Sequence, residues 1–209
     1  MATIEYFYSA HSGYAYIGST HFINIAKARG RDIVHKPMDL RRVVAATGPG
    51  PTNSLTPQRK AYFSGREIQR WAQFRNASIL GRSPSHHANE IALSNGMLIA
   101  AQKRGHNIDE LAHVLLESHW RDDADLADAS TLIRLGNSVG LDGDTLVGSA
   151  FDADVQAQYE ANTEEAIQRS VFGSPTYFVD GDMFYGQDHL ELIDRACGQA
   201  FAGQWPPSG

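Results

Sequence analysis

The chain has 209 residues, 42% hydrophobic and 20% charged, enough to bury a sizeable core without disulfides or a structural metal. Its 18 basic and 24 acidic residues give a net charge of −6, which speaks against nucleic acid or an anionic membrane surface as a partner. A single cysteine, Cys197, excludes an intrachain disulfide, a CxxC redox pair and a cysteine-rich zinc site.

Ile4, Tyr6 and Tyr8 alternate with Glu5 and Phe7 and predict a first, largely buried strand. The polar turn Ser9–Gly13 leads into a helix over 14–29 with Gly30 as its stop, and Asp32–His35 reads as a second strand ended by Pro37. A Gly-, Pro- and Thr-rich loop spans Thr47–Pro57. Helical periodicity follows: Ile68, Trp71 and Ala72; Leu93, Met97, Ala100 and Ala101; Leu111, Val114 and Leu115; Val155 and Tyr159. Asp122, Asp123 and Asp125 suggest a solvated helix start. Thr176–Val179 and Asp182–Tyr185, joined by Asp180-Gly181, predict a hairpin. A final helix carries Leu190, Ile193 and Cys197 on one face, with Asp188 as candidate N-cap. No run approaches the roughly 18 apolar residues of a membrane span. The N-terminus lacks a basic segment leading into an apolar one, so a cytoplasmic chain is expected.

The order β-α-β, helices, β-β-α fits an α/β thioredoxin-like fold with an inserted all-helical domain. The expected division is 1–40 with 170–209 for the thioredoxin-like part and 41–169 for the insertion. Periodicity gives the order of elements and leaves the strand arrangement open.

Three stretches carry a family resemblance. Ser12-Gly13-Tyr14-Ala15-Tyr16 resembles the S-P-[FY]-x-Y signature of 2-hydroxychromene-2-carboxylate isomerases and kappa-class glutathione transferases. Val171–Gly181 resembles their GVFG-x-PTF-x-DG stretch, and Tyr185–Leu190 their [FW]-G-[QN]-D-R-L. The loop Pro51-Thr52-Asn53 and the residues Lys60, Tyr62, Arg70, Trp71 and Ala72 lean towards the isomerases. Gly13, Ser170 and His189 depart from the usual Pro, Gly and Arg, and the stretch 77–89 matches poorly.

The resemblance implies a DsbA-like thioredoxin fold, glutathione as cofactor, a small aromatic carboxylate as second substrate and a homodimer. Ser12 would be the catalytic residue, holding the glutathione thiolate where redox relatives carry cysteine. Ser12 also reads as a helix cap. Ser174 and a cis-Pro175 would pair with the cysteinyl unit, and Tyr185, Gly186, Gln187 and Asp188 would take the γ-glutamyl end. Arg42, Asn53, Lys60 and His87 are the candidate second-substrate residues, supplying charge for a carboxylate and hydrogen bonds for a hydroxyl. The resemblance thus implies a glutathione-dependent cis-trans isomerase of aromatic catabolic intermediates. A kappa-like transferase or peroxidase and a cysteine-less DsbA-like binding protein remain alternatives. The nine histidines are scattered in sequence and suggest no metal site. His11 beside Ser12 lacks an orienting acid, so a nucleophile-base pair is not expected.

Overall fold

The computed structural model describes residues 2–48, 56–203 and 205–207. Its sheet has the order β2-β1-β3-β4, built from β1 (Thr3–Tyr8), β2 (Asp32–Pro37), β3 (Thr176–Val179) and β4 (Asp182–Tyr185). β1 pairs parallel with β2 and antiparallel with β3, Tyr6 lying opposite His35 on one side and Tyr177 on the other. β4 returns antiparallel to β3 through Asp180 and Gly181, whose φ values of 52° and 93° suit the tight hairpin that this dipeptide favours.

Alternation along the strands divides the core between the two faces of the sheet. Ile4, Tyr6 and Tyr8 join Tyr177 and Val179 in the larger cluster, which includes Phe22 of α1 (Gly13–Ala28) and Ile193 of α10 (Leu190–Gly198). The Tyr6 ring stacks between Tyr8 at 4.1 Å and Tyr177 at 5.2 Å. Phe7 and Phe178 face the other way, onto Val43 of α2 (Leu40–Thr47) and Ala166 of α9 (Ala153–Gln168). Burial on both faces explains why β1 reads as a nearly continuous apolar run.

α1 ends as its sequence suggests: Gly30 takes φ +62°, and Gly30 N–H and Arg31 N–H close onto the carbonyls of Lys27 and Ala26. Between β2 and β3 the described elements are all helical. After α2 come α3 (Pro57–Ala61), a π-helical segment (Tyr62–Glu67), α4 (Ile68–Arg75), α5 (Ala92–Lys103), α6 (Asp109–Asp122), α7 (Ala129–Ser138), α8 (Gly143–Gly148) and α9. No described helix is long and apolar enough to cross a membrane.

Two expectations are corrected. Asp188 does not cap the last helix. It lies in a 3₁₀ turn (Gln187–His189) closed by His189 N–H to Gly186 O, so α10 begins two residues later without a side-chain cap. Asp122 and Asp123 end α6 instead of starting a helix. Carboxylates are unfavourable at that end of the dipole, and here ion pairs with Arg121 and Arg82 offset the cost.

Candidate functional site

Ser12 caps α1 from the end of the turn that follows β1. Its Oγ accepts from Ala15 N–H at 3.3 Å and donates to the Ser174 carbonyl at 3.1 Å. The amides of Gly13 and Tyr14, in the first turn, have no protein partner among the described residues. The hydroxyl therefore sits beside unpaired donors and the positive end of a sixteen-residue helix. The absent proline at position 13 has a steric cause. A Cβ on Gly13 would stand 2.7 Å from the Trp120 ring and 2.8 Å from Ile68.

The residues attributed to the glutathione side form one continuous line. The Ser174-Pro175 peptide is cis, as the resemblance implies. The Ser174 Oγ lies 3.4 Å from Ser9 N. Gly186 N–H donates to the Pro175 carbonyl at 2.9 Å, which ties the loop after β4 to the residue beside Ser12. Gly186 has φ +93°, and a Cβ there would overlap Asp188 Oδ1 at 2.2 Å, so only glycine admits this carboxylate so close to the loop. Tyr185 packs its ring on Gly173 and Phe172. Gln187 is buried; its Oε1 and its carbonyl accept from Arg75, and its Nε2 has no partner among the described residues. Burial pushes the Tyr14 phenol up to about 12, with Glu67, Tyr185 and Asp188 adding to it, which places Tyr14 in the same neighbourhood.

A cleft of about 400 Å³ opens next to this line. Lys60, Gly65 and Ile68 form one wall, Leu80, Gly81 and Arg82 another, and Trp120 belongs to the lining. Because Trp120 and Ile68 both bear on Gly13, the cleft adjoins the residue after Ser12. Trp120 is fixed by donating its Nε1–H to the His11 carbonyl at 2.8 Å.

The second-substrate residues are divided. Lys60 lines the cleft, and His87 lies with its ring 5.0 Å from His11 and 5.3 Å from Trp120. Arg42 does not line the cleft. Its guanidinium is held by Glu160 and Glu164 of α9, where it joins α2 to that helix. Asn53 lies outside the described residues. His11 is bonded to Ser9 and not to Ser12, so the two do not form a nucleophile-base pair.

Several neighbours escape sequence reasoning. Arg41, one position before the arginine singled out, donates to the carbonyls of Ala88 and Asn89 and anchors the loop bearing His87. His119 and Trp120 come from α6 and Arg75 from α4. Their sequence signal is ordinary helical periodicity, which does not say what the helix faces. Among the described residues no group of His, Cys, Asp or Glu gathers as a metal site would require.

A four-stranded β2-β1-β3-β4 sheet, a helical block between β2 and β3, and a serine at the head of α1 define the class. The chain matches the DsbA-like thioredoxin domain over residues 3–198 and belongs to that family. Within it, the chain is 28% identical to a 2-hydroxychromene-2-carboxylate isomerase of Sphingobium xenophagum, over 92% of this chain and 96% of the relative. It is 24% identical to an isomerase of the same name from Pseudomonas sp. (strain C18), over 94% and 91%. A solved structure of a 2-hydroxychromene-2-carboxylate isomerase superposes with a TM-score of 0.77 at 21% identity, covering 94% of this chain and 95% of that one.

Proposed function

We propose that this chain is a glutathione-dependent isomerase of aromatic carboxylates of the 2-hydroxychromene-2-carboxylate kind. The carrying observation is the contiguity of Ser12, Ser174, Pro175, Gly186 and Asp188, with a cleft lined by Lys60 alongside. Relatives bearing that isomerase name along nearly the whole chain support the same reading.

The residues fit glutathione by chemistry. The Ser12 hydroxyl and the free amides of Gly13 and Tyr14 suit a thiolate, and the buried, unpartnered Nε2 of Gln187 suits an acceptor. Asp188, held against Gly186, suits an ammonium. Bound glutathione supplies a thiolate that adds reversibly to a conjugated carbon and so frees a double bond to rotate.

Ser12 has two competing uses for its hydrogen. In this structure the hydroxyl donates to Ser174 O; turning it towards a sulfur leaves that carbonyl free to accept from a ligand amide. Lowering a thiol from about 8.5 to about 6.5 needs about 2.7 kcal/mol of thiolate preference. One charge-assisted hydrogen bond at about 1.5–3 kcal/mol plus the helix dipole supplies that. Lys60 on the cleft wall and Arg41 by the His87 loop make the second half of the site electropositive, which suits a carboxylate. Trp120 supplies a flat apolar surface for an aromatic ring.

The test is to follow the two isomers of 2-hydroxychromene-2-carboxylate with and without glutathione while counting free thiol. The expected result is equilibration that requires glutathione and leaves the thiol count unchanged. Stoichiometric thiol loss would make the protein a transferase, and equilibration without glutathione would remove the cofactor from the reading.

A further inference from the structure

Three imidazoles from three segments, His11, His87 and His119, meet between the Ser12 turn and Trp120, the residue that lines the cleft. Their hydrogen bonds fix which nitrogen of each carries the proton. His119 Nδ1 lies 2.9 Å from the Ala124 carbonyl, which can only accept, so His119 is protonated at Nδ1 and its Nε2 is bare. His87 Nδ1 lies 3.1 Å from that bare nitrogen and must donate to it, which leaves His87 Nε2 as an acceptor.

The opposite tautomer is imposed on His11. Asn95 Oδ1 accepts from Ala10 N–H, so the amide is oriented and its Nδ2 is the atom that donates to Ser9 Oγ. Ser9 is fully buried, and among the described residues the only acceptor beside its hydroxyl is His11 Nδ1 at 2.9 Å. His11 therefore carries its proton on Nε2. Neither Nε2 has a partner among the described residues, and neither is among the polar atoms sealed from solvent without one. Both rings are neutral at ordinary pH. Burial, neighbouring imidazoles and Arg41 hold His11 down to about 3; burial, His119, Arg41 and Lys60 hold His87 down to about 4.

We infer that His11 Nε2–H and His87 Nε2, with rings 5.0 Å apart, form a donor-acceptor pair that selects substrates carrying a hydroxyl next to an acceptor oxygen. The hydroxyl donates to His87 and the neighbouring carbonyl or carboxylate oxygen accepts from His11. This rests on the isomerase reading for its biological sense, and names the feature by which that site recognises its second substrate. Arg41, whose charge reaches both rings, and Lys60, whose charge reaches His87, favour an anionic form of that substrate. A site built to pair with a hydroxyl rejects analogues without it, because such a ligand displaces water from the His87 acceptor and leaves it unmatched.

The probes are salicylate, with a hydroxyl beside the carboxylate, and 2-methoxybenzoate, which keeps the acceptor and loses the donor. Protein labelled with ¹⁵N-histidine reads both nitrogens directly. The expected spectrum shows His11 protonated at Nε2 and His87 and His119 at Nδ1. Salicylate should shift both Nε2 signals and bind about tenfold or more tightly than 2-methoxybenzoate. In His87→Phe, which keeps an aromatic ring against His119, the two ligands should bind alike while glutathione affinity is unchanged. Equal affinity for both ligands in the wild type, no shift at the solubility limit, or the reverse tautomers would overturn the assignment. The wild-type spectrum decides the matter even where the variant fails to fold. Selective salicylate binding without turnover of 2-hydroxychromene-2-carboxylate would remove the isomerase reading and leave the subsite standing. Turnover with equal affinities would do the opposite.

Discussion

On the proposed reading Ser12 serves two ends with one side chain, and its replacement separates them. Ser12→Ala removes the cap bond to Ala15, which costs about 1 kcal/mol of stability. It also removes the donor that would face the thiolate, raising the bound thiol's pKa by about 1–2 units. Turnover should fall sharply at neutral pH and recover in part as the pH rises above 8; a pH–rate profile parallel to wild type would exclude the role. Position 13 gives a purely steric expectation. Gly13→Ala places a methyl against Trp120 and Ile68 and should cost about 1–3 kcal/mol in urea unfolding. The serine, the hairpin and the loop glycine were legible because short motifs carry them. Trp120, His119 and Arg41 were not, because each reaches the site through tertiary packing, and Arg42 was misleading because glutamates of α9 claim it.

At the scale of elements, α9 ends in a way that accounts for another departure. Ser170 takes φ +58° just past the helix, with its N–H on Ile167 O. A side chain is strained there and glycine is not, which gives a physical ground for the glycine that the resemblance expects at this position. Ser170→Gly should therefore raise stability by about 1 kcal/mol, read as a higher urea midpoint with unchanged slope. α4 makes a different contribution. Arg75 donates to the side chain and carbonyl of Gln187 and to Glu191, so a helix of the inserted block holds the loop after β4. The period of α1, the hairpin and the final helix could be read locally. The end of α6 could not, because an acidic run suggests a helix start until Arg82 and Arg121 are seen beside it.

For the whole molecule, proton binding links the site to stability. The unfolded chain protonates its histidines as the pH falls through about 6.5. The folded chain leaves His11 and His87 neutral to about 3 and about 4. The unfolded state thus binds more protons across this window, and stability falls with pH. Carboxylates add to the loss lower down. Burial raises Glu5, yet Arg169 and Lys36 outweigh it and hold it below its usual range; His35 does the same for Asp109. Their contribution is present above about pH 4 and disappears as they protonate in more acidic solution. Urea midpoints should therefore decline from about pH 6.5 and drop more steeply below about pH 4.5; a flat response between pH 7 and 5 would show that the imidazoles are not held neutral. The class of fold was legible from element order, while the sheet order was not, since pairing between distant strands leaves no local trace.

That distant pairing governs how the molecule is made. β1 meets β2 within a few dozen residues of leaving the ribosome, but its other edge waits for residues 176–179. Until they emerge, the nascent chain carries an open row of backbone donors and acceptors along β1, the kind of edge that invites association between chains. The interval is bridged by helices that form locally and quickly. Ser12 has no Ser174 carbonyl to face during that time, so any ligand of the completed site can stabilise only finished molecules.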